Sequence, residues 1–244
     1  MTDDPERDPH EFSSGPGFDD PYEGFDLDPP ELDVDPDEVD PVDARVVADL
    51  LDDSHFPKEE VDADSLIDVG LDYMGINRHE QATDAFERAA RFAEDDALEQ
   101  EAWVNKGIGH AELEEWDAAI DAHRAALNVA EEGPFAAEAH TNLAYALWEF
   151  GETTEAYEHA EAAVREDDRL GQAWYNLGFI ENEQGRHEEA ADCLDNAIRL
   201  EFRQADVFEE KARALEELGR EEAAAEAAER AQAIRERQES ELVG

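Results

Sequence analysis

The chain has 244 residues and a formal net charge of −50, with 69 Asp and Glu against 19 Lys and Arg. That imbalance disfavours nucleic-acid phosphate and anionic lipid as partners, since both would be repelled. Cys193 is the only cysteine, which excludes a disulfide framework.

The acidic residues run from end to end rather than forming a patch. Two readings fit such a charge. One is a protein specialised for basic partners. The other is a cytosolic protein working in molar internal salt, where the Debye length falls to about 3 Å and self-repulsion is screened. The even spread favours the second, and helicity is then expected to need molar KCl. The N-terminus has no basic region followed by an apolar run, and no apolar stretch reaches the roughly 18 residues of a membrane span. A cytoplasmic protein is expected.

Residues 1–40 hold sixteen Asp or Glu and one Arg, and eight of the ten prolines lie at or before Pro41. Such a segment buries too little apolar surface to offset its ordering entropy, so a disordered acidic arm is expected. Its spaced aromatics, Phe12, Phe18, Tyr22 and Phe25, fit either a solvating tail or a short docking motif. The region around Phe18–Phe25 is a candidate to occupy any groove the rest of the chain forms. Asp40-Pro41 then signals a helix start. Val42, Val46, Val47, Leu50 and Leu51 make one apolar stripe, predicting a capping helix over 41–53 and a loop to residue 62.

From Ala63 the chain repeats. Leu66, Gly70 and Tyr73 precede Ala82, Phe86 and Ala89. Trp103 and Gly107 precede Ala119, His123 and Ala126. His140, Leu143, Ala144 and Leu147 precede Ala156, Ala160 and Ala163. Trp174, Leu177 and Gly178 precede Ala190, Leu194 and Ala197. Phe208, Ala212 and Leu215 precede Ala224, Ala228 and Ala231. Apolar residues three and four apart share one helix face. The turns between the two runs fall at Asn77, Glu114, Gly151, Gly185 and Gly219, and Gly and Asn suit the left-handed backbone that ends a helix. The copies span 63–99, 100–136, 137–170, 171–204 and 205–238, leaving a short tail at 239–244. The two longer steps imply an extra turn or loop, as at Gly133-Pro134.

This helix–turn–helix period resembles the tetratricopeptide repeat, whose pattern is W-x2-L-G-x2-Y, then A-x3-F, then A. The first copy matches at Gly70, Tyr73, Ala82, Phe86 and Ala89, and the fourth at Trp174, Leu177, Gly178, Ala190 and Ala197. The family's usual proline between repeats is missing. The resemblance implies an all-α, right-handed superhelical solenoid of five stacked hairpins, with the polar fifth copy as cap.

It also implies that the first helix of each hairpin lines an inner groove where a peptide or helix binds. The Asn before the Leu-Gly pair, which grips peptide backbones in the family, corresponds to Asn105, Asn142 and Asn176; an amide both donates and accepts. Tyr145, Trp148, Tyr175 and Phe179 are expected on the same side, with Ile67, Leu71, Met74, Val104 and Ile108 continuing it. The Lys/Arg clamp by which some members hold a terminal carboxylate is absent, because those positions are Asp64, Glu101, Glu138, Gln172 and Asp206. A basic or apolar segment therefore fits better than an acidic C-terminal tail.

His110, His123 and His140 occupy core-facing slots near the second and third copies, where three imidazoles could converge on zinc. Without cysteines or a ligand spacing, hydrogen-bonded helix histidines are the expectation, with no metal and no cofactor. No glycine-rich phosphate loop, GxSxG or HExxH is present. The sequence therefore points to a non-enzymatic protein-interaction scaffold or adaptor. The alternative is a structural subunit or assembly chaperone that uses its outer faces.

Overall fold

The computed structural model describes residues 62–243. The expected arm, the capping helix over 41–53 and the loop after it lie outside the described residues. Ten helices make up the described part, with no strand among those residues. They are α1 Ala63–Gly75, α2 His79–Phe92, α3 Asp96–Glu112, α4 Trp116–Val129, α5 Ala136–Phe150, α6 Thr153–Glu166, α7 Gly171–Glu183, α8 His187–Arg199, α9 Ala205–Glu217 and α10 Glu221–Val243.

Each odd-numbered helix ends in the same way. Asn77, Glu114, Gly151, Gly185 and Gly219 all take a left-handed backbone, with φ of 57°, 58°, 98°, 75° and 69°. The amide of each bonds the carbonyl three residues back, and the next amide reaches five residues back, as Arg186 N does to Glu181 O at 2.9 Å. This paired closure caps the orphan carbonyls and reverses the chain within three residues. Glu114 performs it without glycine, against a steric cost of about 1 kcal/mol.

The two helices of a hairpin meet at a seam of complementary size. Gly70 faces the Phe86 ring, Gly107 the His123 ring and Gly178 the Leu194 side chain. In the other two hairpins Ala144 and Ala212 stand where these glycines do, and Ala160 and Ala228 stand opposite. A large residue on one helix thus meets no side chain on the other; in the third hairpin Ala144 and Ala160 share one core cluster, whereas Ala228 in the fifth is exposed and Ala212 packs with Ala224 and Ala227. Ala82, Ala119, Ala156 and Ala190 are fully buried beside this seam.

Hairpins then stack. Each even helix packs on the following odd helix, and each odd helix also packs on the next odd one: α1 on α3, α3 on α5, α5 on α7 and α7 on α9. Consecutive even helices show no comparable packing. The odd helices form the closely spaced inner row of a superhelical solenoid, and the even helices lie on the outer side.

Two longer steps in the repeat are accounted for locally. An additional turn lengthens α3 at its start, where the Asp95 side chain accepts from Leu98 N at 2.9 Å. The loop between α4 and α5 is tied down by fully buried Gln100. Gln100 Nε2 donates to Ala126 O at 3.2 Å and Ala130 O at 2.6 Å, and Gln100 Oε1 accepts from Phe135 N at 3.1 Å. Lysines at one repeat position reach back to the preceding hairpin. Lys106 Nζ lies 2.7 Å from Glu87 of α2, and Lys211 pairs with Asp195 of α8 in the same way.

Two glycines of α1 separate the seam from helix propensity. Gly70→Ala drives a methyl into the Phe86 ring and is expected to cost about 1–3 kcal/mol. Gly75→Ala meets nothing within 4 Å and should be neutral or stabilise by about 0.5–1 kcal/mol. Denaturant melts in molar KCl measure both.

Candidate functional site

The inner face is built by side chains that project from the row of odd helices. Tyr145 on α5 is 46% exposed and meets the edge of Trp116, ring centroids 5.7 Å apart at 88°. Trp148 of α5 and Phe179 of α7 meet edge to face at 5.4 Å and 83°. Both also pack onto the core cluster around Leu143, Leu147 and Leu177. Tyr175 lies half-buried against Phe202, with centroids 5.8 Å apart. The four expected aromatics therefore share the α5–α7 stretch, with only Tyr145 widely exposed. Trp116 packs on Tyr145, and Phe202 on Tyr175. No spacing in the sequence marked Phe202, because it lies outside any helical stripe.

The three asparagines behave differently from one another. Asn105 Nδ2 donates to Glu101 O of its own helix at 3.0 Å. Buried Asn176 reaches across to α5, donating to Thr141 O at 3.0 Å. Asn142 is half-buried, and its side-chain amide makes no hydrogen bond with another described residue. Two of the three amide donors are thus taken up within the solenoid. Asn182, which sequence reasoning passed over, links α7 to α9 by donating to Glu210 O at 2.8 Å.

The apolar extension of the face is narrower than expected. Ile67 and Val104 are 4% and 1% exposed and belong to the core, because they sit between adjacent odd helices. Leu71 remains 46% exposed, and Met74 and Ile108 are half-buried.

Carboxylates surround the aromatic shelf. Burial, together with the charges of Asp64 and Asp68, raises the pKa of Glu101. Glu138 touches solvent, yet the surrounding protein desolvates its carboxyl. This desolvation, with the Glu101 charge, raises its pKa as well. Burial and then Glu149, Glu112 and Glu114 push the Tyr145 phenol up. Burial, Asp206 and Glu210 lead the causes that bring Tyr175 to about 12. At the α9 end the charge is partly balanced. Arg213 pairs with Glu183 and Glu210, and Arg235 with Asp206 and Glu209. At the α1–α5 end, Asp64, Asp68, Glu101 and Glu138 form no ion pair with a described residue.

The three histidines do not converge. His110 Nδ1 lies 2.8 Å from the Glu115 carboxylate. His123 is sealed in the α3–α4 seam with both ring nitrogens unpartnered, and burial then His110 push its pKa down to about 3. His140 Nδ1 shares a hydrogen bond with His159 Nδ1 at 2.9 Å, their rings stacked at 5.0 Å. His110 and His123 lie on the two helices of the second hairpin, and His140 is stacked on His159 in the third. Among the described residues no group of three His, Cys, Asp or Glu side chains is placed to hold a metal ion. Cys193 is buried, and burial followed by Glu181 raises its thiol pKa, leaving it an inert apolar residue.

Two family models described as tetratricopeptide repeat match residues 121–170 and 171–203. Residues 121–203 carry tetratricopeptide repeats. The matches cover the third and fourth hairpins and the end of the second, and the same closure and seam extend to the first and fifth. No curated protein matches the chain. Among solved structures, MamA 41-end from Desulfovibrio magneticus RS-1 is 18% identical with a TM-score of 0.57, covering 72% of this chain and 96% of that one. Pseudomonas aeruginosa pilF is 21% identical with a TM-score of 0.61, covering 70% and 75%. YrrB, a TPR protein with an unusual peptide-binding site, is 20% identical with a TM-score of 0.52, covering 71% and 86%. At these identities the likeness is one of fold. Tetratricopeptide repeats are protein-interaction modules, and a protein partner follows from the family.

The asparagines divide by role. Asn176→Ala removes a buried hydrogen bond and leaves Thr141 O without that donor, so a loss of about 1 kcal/mol is expected. Asn142→Ala should stay within about 0.5 kcal/mol of the parent. Urea melts in molar KCl compare the two.

Proposed function

We propose that the protein is a cytoplasmic, non-catalytic scaffold or adaptor that holds a basic or apolar segment of a partner protein on the inner face of its odd helices. Asn142, Tyr145, Trp148, Tyr175 and Phe179 make the contact, and Asn105 and Asn176 shape the backbone beneath them. The observation that carries this reading is Tyr145, a large aromatic 46% exposed at the centre of a face that already holds Trp148 and Phe179. Rigid aromatics anchor interfaces because they bury a large area at little entropic cost. The Asn142 amide beside them is able to donate to and accept from a partner's backbone. The surrounding carboxylates favour a protein over nucleic acid or anionic lipid. The acidic surface as a whole suits a cytosol of molar salt.

A second reading, a subunit of a larger assembly, draws on α10. This helix runs from Glu221 to Val243, 23 residues, and an open cleft lined by Ala212, Ala228 and Ala231 lies between it and α9. Glu209, Arg213, Glu216, Arg235, Glu236 and Glu239 rim this cleft, so a partner there would meet charge around a small apolar floor. The native mass at high salt separates the two: a stable large complex favours assembly, and a monomer favours the adaptor.

Tyr145→Ala with Asn142→Ala tests the inner face, since neither side chain fills the core. Partner capture from native extract at high salt should fall at least about tenfold with the circular dichroism unchanged. Unaltered capture would remove the face from the reading.

A further inference from the structure

The aromatic shelf and its surroundings are opposite in character, and together they specify what can lie there. The centre is apolar: Tyr145, Trp148 and Phe179, with Leu71 and Ile108 toward the first hairpin. A partner covering it must supply apolar side chains. Two flanks of the shelf carry carboxylates. Glu112, Glu114 and Glu149 lie around Tyr145, and Asp206, Glu209 and Glu210 around Tyr175. The two ends differ, however. Arg213 and Arg235 answer carboxylates at the α9 end, whereas the column Asp64, Asp68, Glu101 and Glu138 has no cation among the described residues. Glu101 lies near Asp64, Asp68 and Glu138, and Glu101 and Glu138 are partly desolvated; like charges so placed repel one another, and a cation set among them is favoured. An acidic or neutral segment would leave that repulsion in place.

We infer that the inner face takes an amphipathic basic segment in one orientation, its apolar side chains on Tyr145, Trp148 and Phe179 and its Lys or Arg residues on the carboxylates of α1, α3 and α5. This rests on the inner-face reading above and adds the chemistry and polarity of the occupant. In molar salt the contact persists because only pairs closer than about 3 Å to one another escape screening, which restricts binding to segments whose cations touch the carboxylates directly.

The test uses the full chain and three synthetic peptides of one length and one leucine pattern, with polar positions all Lys, all Ser or all Glu. Binding is followed by fluorescence anisotropy across a KCl series. The Lys peptide should bind tightest. Glu101→Gln with Glu138→Gln should weaken it at least about tenfold, and the charge-matched outer pair Asp84→Asn with Asp121→Asn should leave it unchanged. Equal weakening by the outer pair would show general charge attraction and overturn the inference. A Ser peptide that binds as tightly as the Lys peptide, with both lost on Tyr145→Ala, would also overturn it while leaving the inner-face reading intact. Binding of all three peptides that ignores Tyr145→Ala would overturn both.

Discussion

Within the first four hairpins the helices meet where a residue with little or no side chain faces one sixteen positions further on: Gly70 and Phe86, Gly107 and His123, Ala144 and Ala160, Gly178 and Leu194. The two members vary inversely in size. This fit sets how closely the helices approach, and the approach sets the angle at which the next hairpin lands. Interiors at crystal-like density transmit such spacing rather than absorb it. The row of odd helices, and with it the inner face, depends on the seam remaining filled. His123 shows the tolerance of the slot. An imidazole occupies it at the expense of two unpartnered nitrogens, kept neutral by burial.

The hairpins, their turns and their seam residues were legible in the sequence because they are local. Apolar residues three and four apart, and a turn residue at a fixed offset, are one-dimensional signals. Even the exception at Glu114 keeps its place and takes the left-handed backbone that glycine takes elsewhere. Contacts between hairpins were not legible. Asn176 and Thr141 are 35 residues apart, and Asn182 and Glu210 28, and only the stacking geometry chooses those partners. The same applies to the inner face. All four aromatics could be assigned to one side of a helix by spacing. How deeply each sank depended on neighbours such as Trp116 and Phe202, contributed by other copies.

Charge has a different weight on each side of the molecule. The described cations are few, and most are paired with carboxylates across or along helices, as in Arg124–Glu155, Arg220–Glu188 and Arg230–Glu226. Exposed pairs of this kind contribute about 1 kcal/mol or less, and molar salt weakens them further. The solenoid is held by its seams, not by its surface. What remains is an excess of carboxylate that water and salt solvate easily on the outer side and less easily in the hollow. The inner face therefore offers an apolar shelf and an unanswered charge together.

Amide hydrogen exchange on the full chain, with and without its captured partner at high salt, tests the central claim most directly. If the odd helices form the binding face, the partner should slow exchange in α3, α5 and α7, and leave α2, α4, α6 and α8 as they were. Protection confined to the even helices or to α10 would contradict it and place the contact on the outer side.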